Sequence, residues 1–198
     1  MKNAGATTMA DTNDAGLRAF FSKDHSRLDS IFNKCRKNGY SNSIDLLKEF
    51  ATGLIQHIIW EEEYLFPVFE QVTGMTQEGP TVIMRQEHHT IQELLYDLLT
   101  LAEKGDVDPT LPAALEGILL QHNQAEESVL YEAVDSMVTP ESQTELINLL
   151  NSSAPIDLQK WLAGVEEVPE VIQEETHDDD CETCHIENKK EDSPISFH

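Results

Sequence analysis

Basic side chains are scarce in this chain. Thirteen Lys and Arg face 37 Asp and Glu, a net charge of −24 with a pI near 4.4. Nucleic acid and anionic membrane surfaces both need basic patches, so neither is an expected partner. The acidity itself is read as solubility. No run of 18 apolar residues occurs, which excludes a transmembrane helix. The stretch from Met1 to Gly16 is small and polar and lacks the apolar centre of a secretory signal, so a cytoplasmic location is expected. Three cysteines, with Cys35 on its own, do not make a disulfide framework. Strand-type alternation is missing throughout.

What the chain does have is helical periodicity, and 198 residues suit one domain. Residues 1–14 read as a disordered lead and 15–151 as a helical bundle. Residues 152–198 read as a mostly disordered acidic extension. A first helix, capped by Asp14 or a neighbour, runs to about Asn38 with Leu17, Phe20, Phe21, Leu28, Ile31 and Phe32 on one face. Asn38-Gly39 stops it. Ser43 is the expected N-cap of a second helix bearing Leu46, Leu47, Phe50, Leu54, Ile58, Tyr64, Leu65 and Val68, which Pro67 should kink or end. A third helix runs from about Pro80 to Lys104. A fourth, over about 110–137, carries Leu115, Ile118, Leu119, Val129 and Leu130. Pro140 opens a short fifth helix.

The bundle contains a repeat. His57-Ile58-Ile59-Trp60-Glu61-Glu62 matches His122-Asn123-Gln124-Ala125-Glu126-Glu127, and each ends on an apolar pair, Leu65-Phe66 and Leu130-Tyr131. Positions i and i+4 share a helix face, so each stretch aims an imidazole and a carboxylate the same way. Asp24-His25 and Glu87-His88 repeat as well, an acid before each His and an aliphatic three residues after it. His25, His57 and Glu61 therefore form one half of a pattern, and His88, His122 and Glu126 the other. Two helical hairpins of this design, stacked as a four-helix bundle, project four His and two Glu into one core.

A lone His on an apolar stripe is usually a hydrogen-bonded core residue. Four of them with two i+4 carboxylates in a repeated register point instead to metal. Imidazole with carboxylate suits iron, zinc, copper or manganese, whereas calcium prefers oxygen alone. Six ligands exceed one tetrahedral zinc. They fit two ions, the carboxylates bridging and two imidazoles on each. His89 continues onto Gln92, Glu93, Tyr96 and Thr100, a polar face, and is expected to be solvated. Glu62, Glu63 and Glu127 are expected to be exposed helix charge. No bundle His has Glu three residues before it, which excludes a ferritin-like oxidase. The zinc-protease pattern His-Glu-x-x-His is also absent.

At these residues the sequence resembles the hemerythrin-like (HHE cation-binding) family. The stretches are Asp24-His25-Ser26-Arg27-Leu28, His57 to Glu63 with Leu65-Phe66-Pro67, Glu87-His88, and His122 to Leu130. They cover roughly 15–140. The resemblance implies an all-α, up-down four-helix bundle around two non-haem iron ions. Glu61, Glu126 and an oxo or hydroxo group would bridge them, with His25, His57, His88 and His122 as terminal ligands. The oxygen-carrying members have a fifth His, four residues after the first on the third helix. Here that place is Gln92, which implies a more open or water-completed iron. The pattern is closer to a four-His, two-Glu subgroup that includes di-iron proteins linked to repair of iron–sulfur clusters under nitrosative stress. Those proteins carry a further Cys-bearing N-terminal domain without a match in this sequence.

In the extension, Cys181-Glu182-Thr183-Cys184-His185 matches a haem-attachment pattern. That chemistry normally operates outside the cytosol, and so short a segment does not bury a haem. A second metal or redox site at Cys181, Cys184 and His185, joined by His177, is one alternative. A solvated thiol pair is the preferred one. The expected function is binding of dioxygen, nitric oxide or peroxide at the di-iron centre, as sensor, scavenger or carrier. The alternatives are redox turnover in stress response or cluster repair, and an iron-responsive module whose acidic tail binds a protein partner.

Overall fold

A computed structural model describes residues 16–166. The motif at Cys181, Cys184 and His185, the lead and most of the extension lie outside the described residues. Described residues form helices joined by short turns, with no strand among them. Helix α1 spans Leu17–Asn38 and α2 spans Ile44–Trp60, preceded by a 3-10 turn at Ser41–Ser43. A π turn at Glu61–Leu65 carries α2 into α3, Phe66–Thr73. Helix α4 is Pro80–Lys104. Helix α5, Thr110–Ala125, passes through a second π turn, Glu126–Leu130, into α6, Tyr131–Met137. Helices α7, Pro140–Ser152, and α8, Leu158–Glu166, complete the order.

The connections between the long helices are short, so neighbours run antiparallel and close a ring. Helix α1 packs on α2, α2 on α4, α4 on α5, and α6 returns to α1. The all-α bundle expected from the periodicity is the fold observed. Its core is divided. One apolar cluster includes Leu28, Phe32, Phe50, Ile58, Ile91, Leu95 and Leu119. The other includes Phe21, Leu65, Phe66, Met84, Leu130 and Tyr131. On every long helix the polar residues of the repeat fall between members of the two clusters. Phe21 and Leu28 flank His25, and Ile58 and Leu65 flank Glu61. Met84 and Ile91 flank His88, and Leu119 and Leu130 flank His122 and Glu126. The bundle thus holds one polar layer between two dry ones.

The helix ends obey their signals with one exception. Gly39 sits at φ 81° just past α1, a positive φ that glycine adopts with least strain. Pro140 opens α7, with Thr139 Oγ1 accepting from the Ser142 N–H. Ser43, expected to cap α2, does not: its hydroxyl donates to the Gly39 carbonyl at 2.7 Å. Asp14 lies outside the described residues. The first free N–H groups of α1, at Leu17 and Arg18, are met by the Asp135 carboxylate of α6 at 2.9 and 3.3 Å. A carboxylate there also complements the helix dipole.

Helix α8 was not among the expected elements. Ile156, Leu158, Trp161 and Leu162 pack as half-buried groups against the first apolar cluster. The Trp161 indole N–H donates to Gln92 Oε1 at 3.4 Å, and the Ile156 N–H to Gln56 Oε1 at 3.0 Å. Trp161→Ala removes a large half-buried ring and should cost about 2 kcal/mol. Denaturant titration would read the loss, and metal content should stay unchanged because Trp161 touches no member of the polar layer.

Candidate metal centre

The residues of the polar layer converge. His25, His57, Glu61 and Glu126 offer ligand atoms that all lie within 4.8 Å of one another, and so do Glu61, His88, His122 and Glu126. All six are buried. The two carboxylates belong to both sets. Glu126 faces one set with each oxygen: Oε2 lies 3.5 Å from His25 Nε2, and Oε1 lies 3.2 Å from His122 Nε2. Glu61 Oε2 stands between the sets, 3.5 Å from His57 Nε2 and 3.2 Å from His88 Nε2.

Each carboxylate opens a π turn. The Phe66 N–H reaches back to the Glu61 carbonyl, and the Tyr131 N–H to that of Glu126. Pro67 is not the common cause, because the second π turn has no proline. What the two share is a buried carboxylate followed by a buried pair at the fourth and fifth places, Leu65-Phe66 and Leu130-Tyr131. A regular α-helix turns adjacent side chains about 100° apart, whereas the extra residue of a π turn brings the second of the pair round to the core. The same shift turns Val129 away. It was expected on the core stripe and is 55% exposed.

Every imidazole is oriented by a carboxylate on its far nitrogen. Asp24 Oδ2 lies 3.0 Å from His57 Nδ1, and Glu87 Oε2 lies 2.8 Å from His122 Nδ1. Glu62 Oε1 lies 2.8 Å from His88 Nδ1, and Glu127 Oε1 lies 2.9 Å from His25 Nδ1. Glu62 and Glu127 are therefore not the exposed helix charges expected; each is half-buried and braces a histidine of the other hairpin. Glu63 is exposed, and so is His89, as the polar face of its helix foretold. The acid before each helix-opening His was visible in the repeat, and its role is to serve the other His of its own hairpin. Gln92 is in neither set and accepts from Trp161.

The donor set fits metal on three observations. A carboxylate only accepts, so the four Nδ1 atoms carry hydrogens and the Nε2 lone pairs point inward. His88 Nε2 and His122 Nε2 then face each other at 3.0 Å, which needs a cation or a proton between them. His57 Nε2, Glu61 Oε2 and Glu126 Oε1 are buried without a hydrogen-bond partner, and all are inward-facing atoms of the sets. Without metal, protons take that place. Burial opposes the charged imidazole of His57, yet Glu61 and Asp24 push its pKa up to about 10. Burial likewise opposes His88, yet Glu61 and Glu62 bring it to about 9. Burial also disfavours an ionised Glu61, but His57 and His88 hold it well below the carboxylate range. Glu126 is pushed up by burial and by the neighbouring Glu61 charge.

Tyr131, seen in the sequence only as the aromatic end of the repeat, reaches this layer. Its hydroxyl shares its one hydrogen between Glu61 Oε1 and, at 2.9 Å, Glu126 Oε2. Burial and then the two carboxylates hold the phenol well above its ordinary pKa. Among the described residues, no helix is long and apolar enough to cross a membrane.

Comparison with known proteins agrees with this geometry. A hemerythrin-like protein of Schizosaccharomyces pombe is 28% identical over 107 residues, 53% of this chain and 52% of that protein. A DNA nickase of Nostoc sp. is 23% identical over 162 residues, 81% of this chain and 45% of that protein. The chain spans about half the length of these relatives. No solved structure matches it significantly. The family model described as the hemerythrin HHE cation binding domain matches residues 17–134, the span that holds all six converging side chains, and the chain belongs to that family.

Proposed function

We propose that the chain holds two iron ions in this layer and uses them to bind dioxygen, nitric oxide or peroxide, as a sensor, scavenger or carrier. The observation that carries the reading is the convergence of four imidazole and two carboxylate groups into two overlapping sets with unpartnered inward atoms. His25 and His57 would hold one ion, His88 and His122 the other, with Glu61 and Glu126 shared. Iron there supplies exchangeable positions and electrons for a small ligand. The protein supplies fixed tautomers, through Asp24, Glu62, Glu87 and Glu127, and dry walls on both sides of the layer. A cavity of about 300 Å³ between α1 and α5 reaches His25, beside Asp29, Glu116 and Glu127, and is roomy for a diatomic molecule. The nicking activity of the Nostoc relative is not carried over, since a chain of charge −24 repels a polyanion.

Metal analysis of the purified chain, with optical spectra in both redox states, tests the reading. Two irons per chain and a spectrum that changes when oxygen or nitric oxide meets the reduced protein are expected. A single zinc sinks it. A reversible change under oxygen marks a carrier, and one irreversible oxidation marks a sensor or scavenger. The bracing carboxylates make a second test. Glu62→Gln or Glu127→Gln should weaken metal binding about 10- to 100-fold in competition with a chelator, while Glu63→Gln should leave it unchanged.

A further inference from the structure

The two hairpins repeat one pattern of His and Glu around the polar layer, and a hydroxyl present in only one of them sets the halves apart. Phe66 and Tyr131 occupy the same place in the repeat, each closing a π turn and each fully buried. The Phe66 ring lies parallel to the His88 imidazole, centroids 5.6 Å apart. The Tyr131 ring lies beside His25, centroids 5.8 Å apart. Phe66 ends in carbon. Tyr131 ends in an oxygen that touches Glu61 Oε1, lies 2.9 Å from Glu126 Oε2 and lies 3.4 Å from His25 Nε2. Glu126 Oε2 is the oxygen on the His25 side; its Oε1 faces His122.

We infer that Tyr131 makes the two metal positions unequal, its phenol hydrogen-bonding Glu126 Oε2 on the His25 side and Glu61 Oε1 beside it, while Phe66 leaves the His88/His122 side without a hydroxyl. The inference rests on the two-metal reading above. A carboxylate oxygen that accepts a hydrogen bond gives less charge to a cation and is fixed in direction. The ion that His25 and His57 would hold thus meets a Glu126 oxygen that is weaker and more fixed than the one facing His122. Tyr131 is a positioning residue, acting through Glu61 and Glu126. The two iron environments differ for that reason, although the histidine and glutamate pattern is the same in both halves.

The test uses the full chain loaded with iron-57, metal analysis first and Mössbauer spectroscopy of the oxidised protein second. Two irons per chain and two quadrupole doublets of equal area are expected. Tyr131→Phe should keep two irons and bring the doublets together. The double variant Phe66→Tyr with Tyr131→Phe should separate them again, because it moves the hydroxyl to the other side. One doublet from a wild-type chain with two irons overturns the inference, as does an unchanged splitting in Tyr131→Phe. Fewer than two irons in the wild type overturns the two-metal reading and this inference with it, and metal analysis shows that before any spectrum is taken. If Tyr131→Phe loses iron or fails to fold, Phe66→Tyr alone decides. A second hydroxyl must narrow the difference between the doublets, and no change overturns the inference.

Discussion

Glu126→Ala is expected to empty both metal positions, while His25→Ala empties one. The difference follows from which atoms face which set. His25 belongs to a single set, whereas Glu126 presents Oε2 to His25 and Oε1 to His122. Removing a buried charge from its partners costs about 3–5 kcal/mol, or about two to four orders of magnitude in affinity. Iron content after desalting should then fall from two per chain to nearly none in Glu126→Ala, and to about one in His25→Ala. The fold should survive, because Tyr131 still donates to Glu61 and the apolar clusters on both sides of the layer are untouched. Circular dichroism checks that. Two irons retained by Glu126→Ala would contradict the shared-carboxylate arrangement.

The residues that converge were legible because the helix period is regular up to the ligands. His57 and Glu61 are four apart on one uninterrupted helix, and so are His122 and Glu126. The pattern fails just after them. Leu65-Phe66 and Leu130-Tyr131 looked like ordinary apolar pairs, yet each marks a one-residue shift of register, and Val129 was misplaced for the same reason. The bracing by Glu62 and Glu127 is not legible in the sequence, because a helical period sets the direction of a side chain on its own helix and says nothing of a histidine on another. Only the packed bundle brings Glu62 to His88 and Glu127 to His25. Capping failed similarly. Ser43 has the right residue type at the start of α2, but its hydroxyl turns to the Gly39 carbonyl, and the start of α1 is met by Asp135, more than a hundred residues from Leu17. Helix α8 was hidden by its short length and by the acidic stretch that follows it.

Stability of the metal-free chain should fall as pH rises from 7 to 9.5, while metal affinity rises over the same range. Two histidines set the sign. His57 titrates near 10 and His88 near 9 in the folded chain, against 6.5 for an ordinary imidazole. The folded state therefore holds more protons than the unfolded state between those values. Their stabilisation is complete below about 6.5 and is lost as pH climbs through 9 and 10. Glu126, pushed up by burial and by Glu61, adds a loss of the same sign that begins near its ordinary 4.5. Glu61 is held well below its ordinary value, so its contribution is lost only in acid, outside this window. The total is on the order of several kcal/mol, which lowers the melting temperature by roughly 10 °C for a domain of this size. Metal must displace the same protons, so each one that leaves with rising pH strengthens binding. Thermal melts at a series of pH values, with chelator and with loaded protein, read both slopes at once. A metal-free melting temperature that stays level from pH 7 to 9.5 would mean that the imidazoles are neutral in the folded chain. The inward lone pairs of His88 and His122 would then stand 3.0 Å apart with no proton between them.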